Sequence, residues 1–211
     1  MSTDSISEFF DREACCRSGR PRKAKGLSGA SMALLEGLEV AGYNHRSVLE
    51  LGCGLGNLSL ELVSRGASRV TGIDLSERSI GVARERARAS GHADRAAFSV
   101  GDAAAAALSP HDVVVLDKVI CCYPDVSGLV CNSLSVAGSV FAFSLPASSG
   151  LRGTIARGGI AVENAWRRIR SDPFRAYVHD MKRIDARVRA EGFARVGPTG
   201  RWMWATFIYT R

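Results

Sequence analysis

The sequence predicts an α/β fold: a doubly wound, seven-stranded sheet, mostly parallel with an antiparallel C-terminal strand, and helices on both faces. Three observations carry this. Short apolar runs alternate with amphipathic helical stretches from residue 46 to residue 146. Three glycines, Gly52, Gly54 and Gly56, join the first apolar run to the first helical stretch after it. The second run ends on an acid, Asp74, twenty positions after Gly54. Closely spaced glycines let a chain turn sharply and approach a ligand that any Cβ would push away. A carboxylate at that distance is placed to meet a ribose hydroxyl. Together they point to a nucleoside cofactor on a βαβ unit.

The elements follow in order. Residues 1–28 are polar, with a helix expected around Phe9 and Phe10 and a basic link behind it. Residues 30–40 form a helix that sets Leu34, Leu35 and Leu38 on one face. Residues 48–51 are a strand carrying Glu50, 56–64 a helix, and 69–74 the second strand. Ser76 caps a helix with Ile80, Ala83 and Ala87 inward, which Gly91 stops. A third strand ends in Gly101-Asp102-Ala103, and a fourth runs from Asp112 into a loop reaching Asp125. A helix over 127–136 and a strand over 138–146 complete the core. Beyond it, 155–169 is a long helix, 174–179 is extended, and Asp180 caps a helix carrying Met181, Ile184 and Val188. Two strands, 193–196 and 202–210, close the chain around a turn at 197–200. The expected organisation is one domain over 1–211: a helical cap (1–45), a cofactor-binding core (46–146), a substrate lid (147–180), and a final helix and hairpin (181–211).

Composition bounds the function. Apolar residues make up 46% of the 211 and charged residues 23%, ordinary for a soluble protein with a sizeable core. No run approaches the roughly 18 apolar residues of a membrane span, and the first residues lack the basic start and apolar stretch of a signal peptide. A cytoplasmic enzyme is expected. Of 28 basic residues only Lys23, Lys25, Lys118 and Lys182 are lysines, and the net charge is +7. The clusters at 17–25 and 167–170 suit either solvated faces or phosphate contacts, and solvated faces are the expectation. The six cysteines form no C-x-x-C and the histidines are scattered, so no metal is expected.

The glycine loop also decides which nucleoside. A dinucleotide fingerprint needs a small residue where Asn57 stands, and Glu50 would repel a pyrophosphate. The pattern Glu50-x-Gly52-x-Gly54-x-Gly56 resembles the E-x-G-x-G-x-G signature of class I S-adenosylmethionine-dependent methyltransferases. The Gly101-Asp102-Ala103 end of strand three, the Asp112–Asp125 segment and the strand at 138–146 agree in order. The resemblance covers residues 48 to 146 and implies a Rossmann-like sheet with S-adenosyl-L-methionine as cofactor. It implies that Glu50 holds the cationic methionine end, Asp74 the ribose, and Asp102 and Ala103 the adenine, with Leu75 also binding the cofactor. Gly52, Gly54 and Asn57 line the loop, with Lys118 and Lys25 beside the cofactor, Lys25 closing over its carboxylate. The order of cap, sheet and lid is similar to bacterial small-molecule methyltransferases, including the magnesium-protoporphyrin O-methyltransferase type.

The acceptor side rests on fewer residues. Cys121-Cys122-Tyr123-Pro124 puts proline after the aromatic, which departs from the D/N-P-P-aromatic motif of amino methylation on DNA bases or glutamine. In the resembling family this loop borders the methyl donor, so Cys121, Cys122 and Tyr123 are candidate substrate contacts. Tyr123 would orient an acceptor hydroxyl or serve as an aromatic wall. The vicinal cysteines suit small apolar packing, or a thiolate pocket for a soft centre with Cys15 and Cys16. Trp166 and Tyr177 are candidate lid contacts, and His179 is a candidate general base beside the Asp180 cap. The expected function is methyl transfer to an O, S or N atom of a small molecule. Methylation of RNA and a non-catalytic, cofactor-binding regulatory role are the alternatives.

Overall fold

A computed structural model describes residues 3–18, 26–148, 150–201 and 204–211. Seven strands form one sheet: β1 (Ser47–Leu51), β2 (Arg69–Asp74), β3 (Ala96–Val100), β4 (His111–Asp117), β5 (Ala137–Pro146), β6 (Ala194–Arg201) and β7 (Trp204–Thr210). Their spatial order is β3-β2-β1-β4-β5-β7-β6. The first five pair in parallel, and β7 runs antiparallel to both neighbours. The chain reverses direction across the sheet between β1 and β4, where open α/β sheets leave a crevice at the carboxyl ends of their strands.

Strict alternation along the buried strands feeds two separate cores. Val48, Val70, Val113, Val115, Val140 and Ile208 pack on α2 (Gly29–Val40), α3 (Asn57–Ser64) and α4 (Glu77–Ala89). On the opposite face Leu49, Val114, Leu116, Phe141, Phe143 and Tyr209 meet α5 (Val126–Ser135) and α7 (Met181–Ala190). Ser28, Ser76, Asp125 and Asp180 each cap a helix by accepting an N–H of its first turn.

Three features differ from the sequence expectation. β6 continues through Pro198 and Gly200, which read as turn residues, because it is an edge strand with a register shift between Arg195 and Pro198. A proline N–H is not missed on an edge. The helix expected from 155 begins five residues earlier, as α6 (Gly150–Ile169). The first helix, α1 (Thr3–Ser18), is longer than the stretch around Phe9 and Phe10 that suggested it and lies against α4.

Candidate active site

A cavity of about 570 Å³ opens at the carboxyl ends of β1, β2 and β4. The glycine loop forms one wall. Gly52 N donates to Ile73 O at 2.7 Å, so the loop is pinned to the end of β2. Gly52 has φ +72°, and a Cβ there would collide with Val119 Cγ2. Gly54, at φ +51°, faces open space within 4 Å of where its Cβ would be, a cradle shaped for a ligand rather than for a side chain.

Glu50 lines the cavity and is buried to 2% exposure. It sits on the α3 side of β1, where Ser59 Oγ donates to it. Burial, with smaller contributions from the Asp117 and Asp74 carboxylates, pushes its carboxyl up to about 8 against the hydrogen bond from Ser59. A buried acid in that state has spare affinity for a cation, which is the chemistry a sulfonium-bearing ligand offers.

Asp74 ends β2 and anchors the loop: Oδ2 accepts from Gly54 N at 2.8 Å and Oδ1 from Ser76 N at 2.9 Å. Its carboxyl is nevertheless raised, because burial outweighs those two N–H donors. Asp102 follows β3 and accepts from Ala104 N at 2.9 Å and from Tyr123 Oη at 2.8 Å. Burial and the Asp102 carboxylate raise the Tyr123 hydroxyl far above its ordinary value, so it stays a donor.

A polar group at the end of β4 completes the wall. Lys118, at φ +62°, points Nζ to Ser28 Oγ (2.5 Å) and Ser31 Oγ (3.0 Å). Asp117 accepts from Ser31 Oγ (2.5 Å) and Ser144 Oγ (2.6 Å), with Lys118 Nζ 3.7 Å away. Overhead, α1 contributes Ile6, Phe10 and Ala14. It is clamped by Asp11, which accepts from Ser76 Oγ at 2.5 Å and Arg78 N at 3.2 Å, and by Phe9 stacked on Phe174 at 4.1 Å.

The structure brings Glu50, Gly52, Gly54, Asn57, Asp74, Leu75, Ala103, Lys118, Cys122 and Tyr123 to this one cavity. Others lie elsewhere. His179 lines a second cavity of about 370 Å³ behind the Tyr123 loop, where Nε2 meets Tyr123 O at 2.9 Å, and burial lowers its pKa. Tyr177 is outside the main cavity, its N–H given to Cys121 O at 2.8 Å and its ring stacked on His179. Trp166 is 55% exposed on the outer side of α6, under the Arg170 guanidinium. Cys121 is buried beside Cys122, their sulfurs 4.0 Å apart, and both thiols donate to Lys118 O. Lys25 and the side chains of Cys15 and Cys16 fall outside the described residues. Among the described residues no group of histidine, cysteine and acidic side chains is arranged to hold a metal ion.

Sequence reasoning missed Asp117, Ser28, Ser31 and the α1 wall. Asp117 had a signal: it is the acid at the carboxyl end of a central strand, as Asp74 is. Ser28 and Ser31 carried no signal beyond their place at the start of α2, and their role in the cavity depends on the left-handed turn at Lys118, which no local pattern announces.

Comparison with known proteins agrees with this geometry. Residues 48–133 match the family described as a methyltransferase domain. Over 110 residues the chain is 37% identical to ubiquinone biosynthesis O-methyltransferase of Bordetella pertussis, covering 50% of this chain and 45% of that protein. Over 61 residues it is 38% identical to ribosomal protein L11 methyltransferase of Alteromonas mediterranea, covering 29% and 20%. The chain thus spans less than half the length of these relatives. Its fold is that of magnesium protoporphyrin IX methyltransferase from Synechocystis, solved with bound SAH: TM-score 0.74, 20% identity, 99% of both chains covered.

Proposed function

We propose, from the match of residues 48–133 to a methyltransferase domain, that this protein is a class I S-adenosylmethionine-dependent enzyme that methylates a small-molecule acceptor. The observation that carries the reading is the alignment of Glu50, Gly54 and Asp74 along one cavity at the strand ends. When bound, the cofactor would supply a methyl carbon already activated by its cationic sulfur.

The chain's own residues then bind, orient and exclude water. Glu50 would balance the cationic end, directly or through water, and Asp74 would accept from the ribose hydroxyls while holding Gly54 in place. Ala103 and the Asp102–Tyr123 pair would frame the adenine. Lys118, held between Ser28 and Ser31, is a cationic group that a carboxylate in the cavity could meet. Helix α1 roofs the site and keeps solvent from it.

Proton removal is a lesser part of this design. Tyr123 is held as a donor and His179 faces the other cavity, so among the described residues no imidazole lines the main one. Positioning a nucleophile opposite the leaving sulfur is itself a large rate effect, and an acceptor with a low-pKa hydroxyl or thiol fits a site without a strong base. Four buried or surface thiols with no disulfide among the described cysteines suit the reducing cytoplasm.

Calorimetry with S-adenosylhomocysteine and with NAD tests the cofactor, and release of S-adenosylhomocysteine across an acceptor panel tests turnover. Binding of the former alone is expected. Equal affinity for NAD would overturn the cofactor, and tight binding with no turnover on any acceptor would favour the regulatory alternative.

A further inference from the structure

Helix α6 is built inside out. The residues it buries are the small Gly153 and Ala156, while Leu151 (77% exposed), Ile155, Val162 (72%), Trp166 and Ile169 (76%) face outward. At 3.6 residues per turn these five fall within about 60° of arc and run about 27 Å along the axis. They form one continuous stripe, not scattered exposed side chains. Isolated surface apolar residues need no explanation, but a contiguous ridge does.

The margins of the ridge are basic. Residues 150–170 carry five arginines against a single acid, Glu163. Glu163 and Asp172 both pair with Arg167, which also stacks its guanidinium on Phe9 and Phe174. The exposed Arg152 and Arg170 flank one edge of the stripe and Arg157 and Arg168 lie beyond the other. Arg157 reaches back to Ser148 O at 2.7 Å, and Arg170 lies over the Trp166 ring.

We propose that α6 is a docking helix that seats the protein on an anionic phospholipid bilayer. The apolar ridge enters the boundary between headgroups and acyl chains, and the arginines on its margins meet the phosphates. The charge pattern selects this occupant. A second copy packed through the same face would set its arginines against their own counterparts, because a two-fold interface repeats one patch on both sides. An anionic surface neutralises them instead. No described helix is long and apolar enough to cross a membrane, so the expected mode is lying on the bilayer and not spanning it. The helix follows β5 at the rim that carries the cavity, and Asn164 ties it to Ala176 through two hydrogen bonds. Docking would therefore hold the catalytic face near the membrane. The proposal stands apart from the cofactor reading.

The test is sedimentation of the full chain with vesicles of phosphatidylcholine alone and of phosphatidylcholine mixed with phosphatidylglycerol. Binding should favour the mixed vesicles by at least about tenfold and weaken as salt rises. Ile155→Glu with Val162→Glu, and separately Arg152→Glu with Arg170→Glu, should each reduce that binding about tenfold or more. Circular dichroism and S-adenosylhomocysteine affinity should be unchanged in both, which also separates this outcome from a failure of the cofactor reading. Absent or equal binding to the two vesicle types, or variants that bind like the parent, would overturn it. So would a parent that ignores vesicles but sediments as a dimer that the apolar double variant splits.

Discussion

Glu50 is the residue on which cofactor choice and pH behaviour meet. The folded protein keeps its proton up to about 8, whereas the unfolded chain releases it near the ordinary 4.5. Between those values the folded state binds more protons, so stability falls as pH rises through the window, by on the order of a few kcal/mol. Denaturant titrations from pH 5 to pH 8 should show that decline in the unliganded protein, and Glu50→Gln should flatten it. A cationic ligand reverses the sign: it favours the carboxylate, so S-adenosylhomocysteine's charged parent should bind more tightly as pH rises toward 8 and release a proton. Calorimetry in two buffers of different ionisation heat reads that proton; its absence would mean the cation does not lie at Glu50. Tyr123 admits two roles that one variant separates. As an acceptor contact its phenylalanine variant would slow transfer and spare cofactor affinity. Bonded to Asp102, Tyr123→Phe should instead weaken S-adenosylhomocysteine by about 1 kcal/mol, the scale of one hydrogen bond, and calorimetry decides between the two. Glu50 and Asp74 were legible because their spacing from the glycines is local. The Tyr123–Asp102 bond joins two loops 21 residues apart, and no periodicity encodes it.

Among the elements, α1 is the one whose function exceeds its sequence signal. Its apolar positions, Ile6, Phe9, Phe10 and Ala14, suggest a helix but not what it covers. The structure spends them on the cavity roof and on the ring stack with Phe174, and uses Asp11 to reach the start of α4. Ser76 serves both elements, accepting from Ser79 N at 3.0 Å and donating to Asp11. Removing residues 1–25 should leave the sheet folded, since both cores form without α1's main body, yet weaken cofactor binding at least about tenfold through loss of the roof. Phe174→Ala should move affinity the same way by a smaller step, because it loosens α1 without deleting it. Far-UV circular dichroism with calorimetry would check both; undiminished affinity in the truncated chain would make α1 a passive tail. Trp166, expected in a lid over residues 147–180, lies outside the main cavity for a matching reason. Trp166 on a helical period looks like a wall residue, but period alone does not say whether its face turns to the protein or to solvent.

At the scale of the whole molecule the sheet was legible and its closing edge was not. Strand runs with β-branched residues, glycine stops and acid ends fixed seven strands, and the connection rules for parallel units leave little freedom in their order. The extent of β6 was misjudged because turn residues such as Pro198 are tolerated at an edge. The same topology ranks the two ends of the chain by their importance to folding. Helix α1 lies over a finished sheet, whereas β7 is inserted between β5 and β6 and pairs with β5 over seven registered positions from Val140 to Pro146. Phe207, Ile208 and Tyr209 enter both cores from it, and Tyr209 Oη donates to Asp185 of α7 at 2.8 Å. Each buried side chain is worth about 2 kcal/mol, against a total stability of about 5–15 kcal/mol for a typical domain. Loss of β7 would also strand β6 and bare the ladder edge of β5. A chain ending at residue 203 should therefore fail to fold cooperatively, in contrast to one starting at residue 26. Thermal unfolding followed by circular dichroism separates the cases. A sharp transition in the chain ending at 203 would show that β1 to β5 with their helices suffice, and that the closing hairpin is an appendage to the fold and not part of its cooperative unit.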